Sequence, residues 1–214
     1  MVLTLYGHPN STCGKRAAVV LYEKNIPFNF VELDFANNDH KSPPYLKKQP
    51  LGKFHTSQAN LLYLLFRPTI IDLEKYADQV RELMPKDLKK RSLFEQAASI
   101  EHAQFDPSVS GAAYEKIFKA RLQGLQLDEK ALQHHLEKLD AKLDVYDKIL
   151  SNQRFLAGDE LTLADLFHLS YGVYIPLSGS NALETKPNVA RWWKEISELP
   201  SWIAVKYSVK SLQA

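Results

Sequence analysis

Apolar positions change their spacing along the chain. The first eighty residues mix strand-like and helix-like runs, and everything beyond reads as helix. Residues 2–6 form a short β-rich run that stops at the turn formers Gly7-His8-Pro9-Asn10. Ala17, Val20 and Leu21 then share one face, which predicts a helix from Ser11 or Thr12 to Lys24. Asn25-Ile26-Pro27 ends it. Phe28, Phe30 and Leu33, with Asn29 and Glu32 between them, predict a second strand over 28–33. A strand–helix–strand unit of about thirty residues pairs its strands in parallel.

Residues 36–42 are a polar loop. Pro43, Pro44 and Pro50 then leave room for no more than one helical turn. Residues 54–66 could hold a hairpin, though Ser57-Gln58-Ala59-Asn60 is a weak turn signal. Residues 68–76 read as a helix with Pro68 in its first turn. The charged stretch 78–90, with Pro85 and little apolar periodicity, marks a boundary between domains spanning 1–80 and 88–214. The second domain predicts a helix over 89–104, interrupted near Pro107 and continued over 112–122. A strong amphipathic helix follows over 128–150, where Leu132, Leu136, Leu139, Leu143 and Tyr146 recur at three- and four-residue steps. Helices over 162–174, 187–199 and 200–206 complete it. The fold class is an α/β domain followed by an all-α domain.

Composition narrows the function. The chain has 214 residues, 45% of them hydrophobic, with a formal charge of +2. That is ordinary globular composition, and nothing in the charge favours a nucleic acid as partner. The longest nearly uncharged run, 56–66, is too short to span a bilayer. One cysteine, Cys13, permits neither an internal disulfide nor a thiolate metal cluster. No metal, no membrane and a reducing, cytoplasmic setting are the expectations.

Two nucleophile-like groups stand at the head of the first helix. A helix N-terminus presents N–H groups and a positive dipole end. Ser11 there is either a helix cap or a donor to a bound anion, and residue type alone favours the cap. Cys13, in the first turn, is either a thiol whose pKa the dipole lowers or a small buried residue.

The chain resembles the glutathione transferases, most closely the phi class and its fungal members in particular. The resemblance is carried by residues 5–12 (LYGHPNST), 19–28 (VVLYEKNIPF), 40–43 (HKSP) and 46–53 (LKKQPLGK). It continues through 74–79 (EKYADQ), 155–166 (FLAGDELTLADL) and 187–202 (PNVARWWKEISELPSW). Their order and spacing are specific together. The resemblance implies a thioredoxin-like N-terminal domain, a helical C-terminal domain and a homodimer. It also implies glutathione as co-substrate and conjugation of hydrophobic electrophiles for detoxification. Ser11 matches the catalytic serine that holds the thiolate. His40, Lys41 and Lys53 match the contacts to the glycine carboxylate of glutathione. Phe54 takes the place of the backbone contact to its cysteinyl part. Thr12, Phe35, Tyr114 and Phe118 match positions lining the electrophile site, with Tyr114 and Phe118 four apart on one helix face. Thr162 and Asp165 match a structural capping box.

Two departures stand out. His55 occupies the place of a cis proline, and a cis bond without proline costs about 3 kcal/mol. The family's Glu-Ser turn, which holds the γ-glutamyl group, is missing from Tyr63-Leu64-Leu65-Phe66-Arg67-Pro68. Arg67 is left to meet the γ-glutamyl carboxylate. The whole stretch 54–73 matches poorly between well-matched flanks. It is either a real divergence that impairs glutathione binding or a local shift of reading frame. The rival functions are a non-catalytic ligand-binding or regulatory protein of the same fold, and a Cys13-dependent thiol transferase.

Overall fold

The first strand, helix and second strand form as β1 (Leu3–Gly7), α1 (Thr12–Glu23) and β2 (Phe28–Glu32). This computed structural model describes residues 2–34, 36–47, 80–213 and, for backbone alone, 55–58. β1 lies at the centre of a three-stranded sheet among the described residues. It pairs in parallel with β2, Leu3 opposite Phe28 and Gly7 opposite Glu32. On its other side it pairs antiparallel with β3 (His55–Gln58), Gly7 opposite His55. The remainder of the expected 54–66 hairpin and the 68–76 helix lie outside the described residues.

Every residue of α1 from Gly14 to Leu21 is buried. The helix packs on β1 and also on α11 (Pro200–Val205), so it has neighbours on more than one side. It ends where Asn25 turns left-handed at φ 49°, a conformation asparagine tolerates. A 3-10 turn at Asp39–Lys41 and the single helical turn α2 (Pro43–Leu46) follow.

The chain divides into two compact units, Met1–Met84 with Leu199–Ala214, and Pro85–Glu198. The sequence reading carries the helical domain to 214, whereas the last segment belongs with the first unit. The Ser201 hydroxyl donates to Glu23 Oε2 at 2.5 Å. The Val209 N–H donates to the Pro9 carbonyl at 3.0 Å. Phe28 and Leu212 exchange backbone hydrogen bonds of 2.9 and 3.0 Å, and the Phe30 N–H donates to Ser211 Oγ at 2.8 Å. The tail thus covers the edge of β2, which would otherwise offer unpaired backbone groups. No local pattern in 206–213 announces a pairing with residues so distant in sequence.

The second unit is helical. Its first strand of helix runs as α3 (Leu88–Ile100), a π-turn at Glu101–Phe105, α4 (Asp106–Ala113), a second π-turn at Tyr114–Phe118, and α5 (Lys119–Gln123). The expected interruption near Pro107 is therefore a widened turn and not a break. Proline lacks the N–H that an α-turn would use, and the i→i−5 bond from the Asp106 N–H to the Glu101 carbonyl precedes it. Gly124 ends the run left-handed at φ 64°. α6 (Glu129–Leu150) buries Leu139, Leu143, Tyr146 and Leu150, while Leu132 and Leu136 are half-buried. α7 (Leu163–Gly172), the short α8 (Tyr174–Leu177) and α9 (Ala182–Thr185), and α10 (Pro187–Ser197) complete the unit. α9, one turn long, has no periodicity that the sequence could reveal.

His168 is fully buried in this core. Its Nδ1 lies 2.7 Å from the Ala164 carbonyl and its Nε2 lies 3.0 Å from the Tyr146 hydroxyl. A carbonyl only accepts, so the hydrogen-bond pattern assigns the proton to Nδ1. Asp165 is fully buried too, and it completes the expected capping box of α7.

α10 has no cap of its own, because Lys186 supplies no side-chain bond and Pro187 has no N–H. Asp147 of α6 substitutes. Its carboxylate accepts from the Asn188 N–H at 2.8 Å, the Val189 N–H at 3.2 Å and the Asn188 side-chain amide at 3.2 Å. Burial pushes its pKa up, but the bonds from Val189 and Asn188 outweigh that and hold it below the usual carboxylate range. Such a depressed carboxylate stabilises at neutral pH and loses its contribution as pH falls through the depressed value. Asp147→Ala is expected to lower stability by about 1–2 kcal/mol in urea unfolding at pH 7. The difference between the two proteins should shrink under acid conditions; an equal difference at both pH values would argue against ionic capping.

Candidate functional site

The end of β1 leads directly into the head of α1. The Leu33 N–H donates to the Gly7 carbonyl and the Ser11 N–H to the His8 carbonyl, both at 3.0 Å. The Asn10 N–H donates to His8 Nδ1 at 3.2 Å. Together with the Val209–Pro9 bond these fix the turn from both sides. Ser11 is the N-cap of α1, with extended backbone at φ −69° and ψ 137°. Its Oγ accepts from the Gly14 N–H at 3.0 Å. Ser11 is therefore a cap, as residue type alone favours. Capping uses an acceptor lone pair of the hydroxyl and leaves its O–H able to donate.

Thr12 and Cys13 are both half-buried, and the Thr12 hydroxyl lies 3.9 Å from Cys13 Sγ. Lys15 stands one helical turn beyond Ser11, and burial lowers its pKa. Tyr45 is buried edge-on to Tyr6 at 6.5 Å, and burial pushes its hydroxyl up to about 12.

His40 and Lys41 share the 3-10 turn, His40 buried and Lys41 exposed. Two aspartates shape this turn. Asp39 Oδ2 accepts from the Asp34 N–H at 2.9 Å, and Asp34 Oδ1 accepts from the Ala36 and Asn37 N–H groups at 2.9 and 3.2 Å. Phe35, Lys53, Phe54 and Arg67 lie outside the described residues.

In the second unit Tyr114 and Phe118 open and close the second π-turn. Each has a partner of its own. The Tyr114 hydroxyl donates to Gln123 Oε1 at 2.9 Å, whereas the Phe118 ring packs edge-on against Tyr174 at 5.1 Å. Tyr174 lies 6.3 Å from Tyr171. Phe118, Tyr171 and Tyr174 form a half-buried aromatic cluster. The two tyrosines escaped the sequence reading, although their three-residue spacing on a helix was a usable signal.

The comparisons with known proteins bear on this arrangement. The family model for the glutathione S-transferase N-terminal domain matches residues 1–54, and that for the C-terminal domain matches residues 105–200. Glutathione S-transferase PM239X14 of Arabidopsis thaliana is 37% identical over 206 residues, covering 90% of each chain. The chain belongs to the glutathione S-transferase family. Its first unit is the thioredoxin-like domain and its second the helical domain of these transferases.

Glutathione transferase F2 from Populus trichocarpa superposes with a TM-score of 0.87 at 35% identity, over 95% of this chain and 96% of that one. Glutathione S-transferase I from maize, solved with an atrazine glutathione conjugate, gives 0.83 at 28% identity over 96% and 97%. The relatives are plant phi-class transferases. The expected likeness to fungal members in particular is not supported. In this transferase the peptide bond joining Phe54 to His55 and the segment lacking Glu-Ser lie outside the described residues. Among the described residues no helix is long and apolar enough to cross a membrane.

Proposed function

We propose that the protein is a cytoplasmic, homodimeric glutathione transferase in which the Ser11 hydroxyl holds the glutathione sulfur as a thiolate. The free thiol has a pKa near 8.5, and a hydrogen-bond donor aimed at the anion lowers it. On binding, the thiol proton leaves to solvent. The sulfur lone pair then forms a C–S bond to the electrophilic carbon, and the leaving group departs with its bonding pair. His40, Lys41, Lys53, Phe54 and Arg67 hold the tripeptide, and Thr12, Phe35, Tyr114 and Phe118 meet the hydrophobic electrophile.

The observation that carries this reading is the cap itself. Ser11 accepts the Gly14 N–H at the head of a helix and keeps its own hydrogen for an anion. The conjugate held by the maize relative supports the reaction class. The test is conjugation of glutathione to an activated aryl halide by wild type, Ser11→Ala and Cys13→Ser. Loss in Ser11→Ala alone supports the reading. Loss in Cys13→Ser alone assigns the chemistry to the Cys13 thiol. A wild type that does not conjugate yet binds hydrophobic ligands is a binding protein of this fold.

A further inference from the structure

We infer that Gly14 is a positioning residue for the Ser11 hydroxyl: the side chain it lacks leaves the space that Ser11 Oγ occupies. The inference rests on the assignment of Ser11. A Cβ built on Gly14 would lie 2.7 Å from Ser11 Oγ, closer than side-chain carbons approach any heavy atom. Its other neighbour, the His8 carbonyl oxygen, is at 3.4 Å, an ordinary contact. Among the described residues, the atom such a Cβ would overlap is the Ser11 hydroxyl oxygen.

Ser11 Oγ is the tip of a side chain that turns about one bond. The fold can absorb a methyl group at position 14 by swinging that hydroxyl away. The swing gives up the 3.0 Å bond from the Gly14 N–H. A hydroxyl that already accepts an amide hydrogen is polarised and donates more strongly through its own O–H. Turning it away both misdirects the donor and weakens it. Glycine inside a helix is also less favourable than alanine, so the position runs against local propensity. Helix stability does not account for glycine here, whereas room for Oγ does.

Gly14→Ala, Ser11→Ala and the double variant test this. Gly14→Ala is expected to melt within about 4 °C of wild type, because the gain in helix propensity offsets the lost cap. Its kcat/KM for conjugation should fall on the order of tenfold, and the ultraviolet thiolate absorbance of bound glutathione should weaken. In the Ser11→Ala background the same substitution should change kcat/KM less than about twofold, because no hydroxyl remains to displace. Wild-type rate and thiolate signal in Gly14→Ala would overturn the inference, as would the same fold-loss in both backgrounds. A crystal structure of Gly14→Ala reads the geometry directly. Ser11 Oγ still in its capping position there overturns the inference whatever Ser11→Ala does. Full activity in Ser11→Ala with a displaced Oγ in Gly14→Ala would overturn only the role assigned to Ser11.

Discussion

Replacing Ser11 by alanine is expected to lower kcat/KM for glutathione conjugation about 100-fold at neutral pH. That is the scale on which removing one preorganised donor to a reacting anion acts. The variant also loses the cap of α1, which costs about 1 kcal/mol. For a chain of this length such a change lowers Tm by about 2–4 °C, so the protein stays folded for assay. The pH dependence discriminates further. Without the hydroxyl the bound thiol ionises near its ordinary value of about 8.5. The rate of Ser11→Ala should therefore climb as pH rises toward that value, while the wild-type rate levels off at lower pH. Parallel pH profiles would mean that the hydroxyl does not set the thiol's ionisation.

The second large effect is on stability. Asp165 is fully buried, and its carboxylate accepts from the Leu156 N–H at 3.0 Å, the Thr162 N–H at 2.9 Å and the Thr162 hydroxyl at 3.0 Å. It also accepts from the Trp192 indole N–H at 2.9 Å. Burial raises its pKa, and all of these donors oppose the rise. Asp165→Ala leaves every donor without its acceptor in a fully buried site. Each such group costs about 1–3 kcal/mol, with the sum less than additive, so a loss of at least about 3 kcal/mol is expected. Calorimetry should show Tm lower by about 6–12 °C. Asp165→Asn keeps the shape but turns an amide donor toward other donors, and it should destabilise as well. A variant melting within about 2 °C of wild type would show that the network is not what holds the start of α7 to Trp192.

Much of this architecture was legible because it is local. α1 and α6 announce themselves by apolar spacing, and the capping box by two residues three apart. Pro107 was legible as a disturbance but not as a π-turn, because the choice between breaking and widening depends on what packs around it. Asp147 could not be read as the cap of α10, since the two meet only after the chain folds. The same division runs through the site. Ser11 is placed by its position after a turn cluster and by family resemblance. The part played by Gly14 is a matter of space and has no signature in composition or periodicity. The half-buried pair Tyr171 and Tyr174 lay in plain view as a helical spacing, yet such a spacing usually means core.

The Val209–Pro9 and Leu212–Phe28 bonds have a consequence for the order in which the protein is made. A ribosome delivers the chain from its first residue, and the helical unit closes within Pro85–Glu198. The thioredoxin-like unit, though its strands are synthesised earlier, waits for residues 209–212 before its outer strand is sheltered. A nascent chain paused before Leu199 lacks the groups of Ser211 and Leu212 that pair with the backbone of Phe30 and Phe28.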